Sequence, residues 1–253
     1  MVTRFKRYLS LPVTRPPKRR PVPVQKRHHV RSTSLPCPSH PLISDLEAEI
    51  CALRAWLPRS GPNRFGSVPS GLNRLERVLS SLADLLRLPQ SQESVRRSKG
   101  SVWTERLLED SVRLADGFGS LRSEIMAVRD HQWEAQTAIR RRDEARLAAS
   151  AKAMRCCEKE LVRIASAMKS AARSAGTQSE AGMNWVVRDA ISAMAEASES
   201  VVFGIAGAVA GKKREMDDEE LEKMEAMQSG SERVFRRLVD IRVLILNALT
   251  PCL

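Results

Sequence analysis

The residues able to do chemistry are scattered along this chain. His28, His29, His40 and His131 are too dispersed to form a metal-ligand cluster. Cys37, Cys51, Cys156, Cys157 and Cys252 form no C-x-x-C pair and no Cys/His group of zinc spacing, and their odd number fits a reduced intracellular compartment. Adjacent Cys156 and Cys157 point in neighbouring directions around a helix; a disulfide between them would be strained, and both are expected as buried thiols. No Cys, Ser or carboxylate can be set beside a histidine as nucleophile and base. Neither a G-x-x-x-x-G-K-[ST] phosphate loop nor a G-x-G-x-x-G fingerprint is present. The expectation is a non-enzymatic protein with no catalytic residue, no metal site and no cofactor.

One local motif does carry a chemical rationale. Arg31-Ser32-Thr33-Ser34-Leu35-Pro36 has the R-S-x-S-x-P spacing of a phosphoserine docking site, in which Arg31, Ser32, Ser34 and Pro36 are the recognised positions. Phosphorylation of Ser34 would add about −1.5 to −2 charge and three acceptor oxygens, suited to an arginine cluster on a 14-3-3-type partner.

Charge is distributed unevenly. The net charge is +12, yet residues 1–44 hold ten Lys/Arg and no acidic residue, leaving 32 basic against 30 acidic groups in the other 209 residues. Attraction to nucleic acid or to an anionic membrane is therefore expected of the N-terminal segment, and protein partners of the rest. Within that segment Lys18, Arg19 and Arg20, extended by Lys26 and Arg27, form a localisation cluster. It reads as nuclear import, with nucleus or cytoplasm favoured, or, because the segment lacks acid, as a plastid transit peptide. Residues 1–39 also hold seven of the 13 prolines and few large apolar groups, the composition of a disordered basic arm.

The elements behind these residues are helical. Aromatic content is only 4%, so a core must be aliphatic and Ala-rich, and no proline falls between Gln90 and Thr250. Leu42, Leu46, Ile50, Leu53 and Leu57 predict a first helix from about Pro41, with Ser44 and Glu47 at capping-box spacing. Pro58 ends it, and a loop to Gly71 precedes a second helix carrying Leu72, Leu75, Leu79, Leu82 and Leu86, stopped by Pro89. After a polar segment, Gln90 to Gly100, Ser101 is placed to cap a helix from Val102 to Arg142. Leu107, Leu114, Leu121, Val128 and Ala135 repeat every seven residues along it, beside Phe118, Ile125 and Ile139. Gly117 and Gly119 are candidate bends. Arg140-Arg141-Arg142, followed by Asp143 and Glu144, reads as a solvated, internally paired surface. Further helices are expected over about Ala145–Ala175, Met183–Ala210 and Met216–Leu249, the last open to a break at Gly230. The uncharged, apolar stretch Ser200–Gly211 falls short of the ~20 residues of a membrane span, so its glycines read as close-packing positions. Stripes of this kind gain stability by burial against one another. They predict an all-α, elongated antiparallel bundle over residues 40–250 behind a disordered arm over 1–39.

Several short blocks, in order, resemble a land-plant family. They begin at His29-Val30-Arg31-Ser32-Thr33-Ser34-Leu35-Pro36 and Ser39-His40-Pro41-Leu42-Ile43. They continue through Leu85-Leu86-Arg87-Leu88-Pro89-Gln90, Leu107-Leu108-Glu109-Asp110-Ser111 and Ala138-Ile139-Arg140-Arg141-Arg142, and end at Arg233-Val234-Phe235-Arg236-Arg237-Leu238-Val239 and Arg242-Val243-Leu244-Ile245-Leu246-Asn247. On these blocks residues 28–250 are similar to the BYPASS-related group. The resemblance implies an all-α protein of root and shoot development, and it supplies no catalytic residue. Two features depart from the family pattern: Ala145 to Ala149 follow the triple arginine almost directly where relatives carry a longer polar insert, and residues 1–27 are an added basic extension.

Overall fold

The computed structural model of the protein describes residues 40–57, 64–173, 183–210 and 218–250. These form seven helices and, among the described residues, no strand: α1 (Pro41–Trp56), α2 (Arg64–Arg87), α3 (Pro89–Arg97), α4 (Val102–Arg141), α5 (Glu144–Arg173), α6 (Met183–Ala210) and α7 (Asp218–Leu249). The protein is all-α, as its composition and periodicity predict.

The helix ends follow local chemistry. Pro41 occupies the first turn of α1, where its missing amide costs nothing, and His40 caps the helix by accepting from Leu42 N through Nδ1 at 3.2 Å. The expected cap at Ser44 lies one turn inside the helix. α4 starts as predicted: Ser101 is extended, and its side chain accepts from Thr104 N at 3.3 Å. The loop expected to reach Gly71 instead enters α2 at Arg64, with Pro69 inside the helix. The segment expected to be merely polar contains α3, because Pro89 stops α2 and also supplies the first position of the next helix, after extended Leu88.

The hydrophobic stripes close on a shared aliphatic core. α6 lies at its centre, with Val186, Val187, Ala190, Met194, Val201 and Ile205 all buried. By length and composition alone it is long and apolar enough to cross a membrane, but 61% of its most apolar stretch is buried against the other helices, as in a core helix. Side-chain pairs fix the register. Trp56 meets Gly71, and Arg77 bonds Glu49 at 2.6 Å, so α1 and α2 run antiparallel. Ser150 Oγ donates to His131 O at 2.6 Å in the antiparallel α4–α5 pair. Arg122 with Glu232, and Arg129 with Gln228 at 3.2 Å, set α7 antiparallel to α4. α2 departs from the antiparallel rule: Leu72 packs on Gly230, and Arg233 bonds Glu76 at 2.7 Å and Asn73 at 2.9 Å, so α2 and α7 run parallel.

Two glycines, one a candidate bend and the other a candidate break, serve as contact points. At Gly117 an added Cβ would stand 2.7 Å from Met168 Cε, so its bare backbone lets α5 approach α4. At Gly230 an added Cβ would stand 3.0 Å from Leu72 Cβ, and α7 continues through it unbroken. The heptad of α4 is buried at Leu107, Leu114, Leu121 and Val128, with Phe118 and Ile125 beside it, but not at its end: Ala135 is half-buried and Ile139 is 51% exposed.

Candidate interaction surfaces

The residues singled out as a phosphoserine motif (Arg31, Ser32, Ser34, Pro36) and as a localisation cluster (Lys18, Arg19, Arg20, Lys26, Arg27) lie outside the described residues. Within the described part, no group of three or more His, Cys, Asp or Glu side chains is disposed to hold a metal. His40 is spent on its cap, and His131 Nδ1 lies 3.2 Å from Glu134, a neighbour one turn along α4.

The two adjacent cysteines differ. Cys157 is buried against α4, where burial first, and Glu124 second, push its thiol up to about 11. Cys156 is exposed, contrary to the expectation of two buried thiols, because successive residues on a helix lie about 100° apart and only one of them can face α4. At that pKa Cys157 is a protonated, inert core thiol.

One carboxylate is out of place. Asp110 is 7% exposed on α4, and its Oδ1 is buried without a hydrogen-bond partner. Burial raises its carboxyl from 3.8 to about 6, while Arg113, 3.9 Å away, offsets part of the rise. Asp110 is not among the residues lining the small cleft between α4, α6 and α7. That cleft is lined by Ile125, Val128, Ile205, Val209, Met224 and Met227, with Gln132 as its polar member. It offers packing space and no converging acid, base or nucleophile.

The outer surface carries the more distinctive chemistry. Val239, Val243 and Leu246 follow one another at i, i+4 and i+7 on α7 and are 40%, 47% and 42% exposed, an apolar helix stripe with nothing covering it among the described residues. At the opposite end of the bundle, where α4 turns into α5, Arg140, Arg141 and Arg142 are exposed and make no ion pair among the described residues. The internal pairing expected of them with Asp143 and Glu144 does not form. Asp143 instead accepts from Arg146 N at 3.0 Å and pairs with its guanidinium at 3.4 Å, capping α5. Trp133, 64% exposed, stands two turns back on α4. The sequence reading passed over Trp133 because it falls outside the heptad and belongs to no motif. Its position opposite the buried stripe was the available signal.

Comparison with known proteins adds one finding. The family model described as Protein BPS1 matches residues 71–219, from Gly71 in α2 to the first turn of α7 and more than half of the chain. The match is narrower than the 28–250 span of the resembling blocks. No curated protein and no solved structure matches the chain. With more than half its length in that match, the chain belongs to the BPS1 family, the BYPASS-related group, and its role lies in plant development.

Proposed function

We propose that the protein acts in root and shoot development as a non-enzymatic adaptor, presenting helix faces to protein partners through its folded body and a phosphoserine motif through its N-terminal segment. The observation that supports this reading most directly is the α7 stripe of Val239, Val243 and Leu246, which holds large apolar side chains in water at the spacing of a helix–helix seam. Ser34, flanked by Arg31, Ser32 and Pro36, is the proposed phosphoacceptor for a 14-3-3-type partner, and Lys18, Arg19, Arg20, Lys26 and Arg27 the proposed nuclear localisation cluster.

Proximity labelling in root tissue tests the adaptor reading, comparing the full chain with Val243→Asp. Loss of a reproducible subset of labelled proteins in the variant, at equal protein level, is the expected result; identical profiles would sink it. For the arm, a Ser34 phosphopeptide should bind a 14-3-3 protein and its unphosphorylated twin should not.

A second reading rests on the ten basic and no acidic residues of 1–44: an arm that binds nucleic acid or anionic membrane. It predicts salt-sensitive binding that disappears when residues 1–40 are deleted. The adaptor reading predicts labelling that survives the deletion in part.

A further inference from the structure

The turn joining α4 to α5 combines two properties that a water-facing helix end rarely holds together. The first is apolar surface. Ile139 is 51% exposed and Leu147 38%, and Ala145, Ala148, Ala149 and Ala151 around them are exposed as well. The opening turns of α5 therefore show aliphatic groups on nearly every side, where a surface helix has a polar outer face. The second is charge. Residues 139–155 carry six basic groups against two acidic ones, in a body that is close to neutral. Of the two carboxylates, Asp143 is engaged by Arg146, and among the described residues Arg140, Arg141 and Arg142 make no ion pair.

Position adds to this. The antiparallel register of α4 and α7, set by Arg122 with Glu232 and Arg129 with Gln228, brings the acidic start of α7 level with the last two turns of α4. Trp133 lies about 12 Å behind the turn at 1.5 Å per residue, with its indole in water.

We propose that this α4–α5 turn is a membrane-surface site. It would seat Ile139 and Leu147 among the acyl chains of an anionic bilayer, Arg140 and Arg141 at the lipid phosphates, and Trp133 at the headgroup level. An interfacial element needs an apolar tip that sinks about 5–10 Å, a basic collar that snorkels to phosphate, and an amphipathic ring at the boundary. Nucleic acid shares the attraction to arginine but fits the apolar part poorly, because Ile139, Leu147 and the alanines give bases nothing to stack on. The site is separate from the N-terminal segment and acts with that segment present.

The test uses the full chain with vesicles of phosphatidylcholine, with and without phosphatidylserine, and duplex RNA as the competing polyanion. Binding to the phosphatidylserine vesicles should exceed that to neutral ones. It should fall about tenfold or more in Arg140→Glu/Arg141→Glu. Ile139→Ser/Leu147→Ser keeps the charge and should also weaken vesicle binding, while leaving any RNA binding unchanged. Brominated lipids should quench the fluorescence of the wild-type chain more than that of Trp133→Phe. All of these side chains are exposed, and Arg140→Gln/Arg141→Gln, with a weaker loss, guards against misfolding of the charge-reversed variant. Three results would each overturn the proposal: no vesicle binding; vesicle affinity unchanged in the turn variants, which would place binding in the N-terminal segment; or affinity that follows the arginines alone, equally for vesicles and RNA, with Trp133 unquenched, which would define a polyanion site that inserts nothing.

Discussion

Gly71 lies directly under the indole of Trp56: a Cβ built on Gly71 would stand 2.3 Å from both Cη2 and Cζ2 of that ring. The contact closes the α1–α2 pair, and only a residue without a side chain leaves room for it. Gly71→Ala should therefore destabilise the protein by about 1–3 kcal/mol through overpacking, although alanine is the better helix former by about 1 kcal/mol. Trp56→Leu in the same chain should recover part of the loss, because the two changes act on one contact. Urea titration of the two single variants and the double variant gives the coupling. Additive losses would show that the ring and the glycine do not meet.

Trp56 supports a second, milder prediction. Its Nε1 is buried and donates to nothing, so Trp56→Phe removes no hydrogen bond and relieves a buried unpaired donor. That variant should lie within about 1 kcal/mol of the parent. A large loss would mean that Nε1 has a partner.

Leu121 and Ile139 separate the two ends of the α4 heptad. Leu121 is fully buried, and Leu121→Ala should cost about 2–5 kcal/mol in chemical denaturation. Ile139→Ala, at an exposed position, should stay within about 0.5 kcal/mol. Equal effects would contradict the exposure of the last turns of α4.

Those two residues also mark how far periodicity can be read. A seven-residue repeat shows which face of a helix is apolar, and along Leu107, Leu114, Leu121 and Val128 that face is buried. It does not show how far each neighbouring helix covers that face, and Ile139, in the last turn of α4, is 51% exposed. The same limit hid the α4–α5 turn, because Arg140, Arg141 and Arg142 next to Asp143 look self-neutralising in one dimension. In the fold Asp143 points forward into α5. Proline was misread for a different reason. Pro89 is both a stop and a start, and α3 has Val95 as its single buried apolar side chain, beside Ser91 and Ser94, too little for a period. Pro69 lies inside α2, beside Val68, which is 1% exposed in the core. Asp110 was legible only as part of a sequence block; its burial has no signature in the residues around it.

Burial of Asp110 has a pH signature. Its carboxyl, near 6 in the folded protein against 3.8 ordinarily, binds its proton more tightly folded than unfolded. Stability from this group therefore rises as pH falls through 6 and levels off below about 4, and the charged form is a penalty at neutral pH. Asp110→Asn should gain about 1 kcal/mol at neutral pH, discounted for the attraction of Arg113 and for solvent, and little at about pH 4. The difference between wild type and variant, followed by urea midpoint against pH, isolates Asp110 from the other carboxylates. A gain that does not change with pH would show that Asp110 is not the titrating group.

Arg142 ends α4 in the left-handed conformation, φ 55° and ψ 37°, while its amide bonds back to Ala138 O and Ile139 O. That is the position at which helices favour glycine, because a Cβ there crowds the following carbonyl by roughly 1–2 kcal/mol. Arginine at this cap therefore carries a conformational cost that glycine would remove, with no ion pair lost among the described residues. Arg142→Gly should raise stability by up to about 1 kcal/mol, reduced by the greater freedom that glycine gives the unfolded chain. If the same substitution also lowers affinity for phosphatidylserine vesicles, the arginine is kept for its charge at the expense of the cap, the exchange expected where strain coincides with a functional surface. A variant that is less stable than the parent would show that Arg142 makes a contact worth more than its strained backbone.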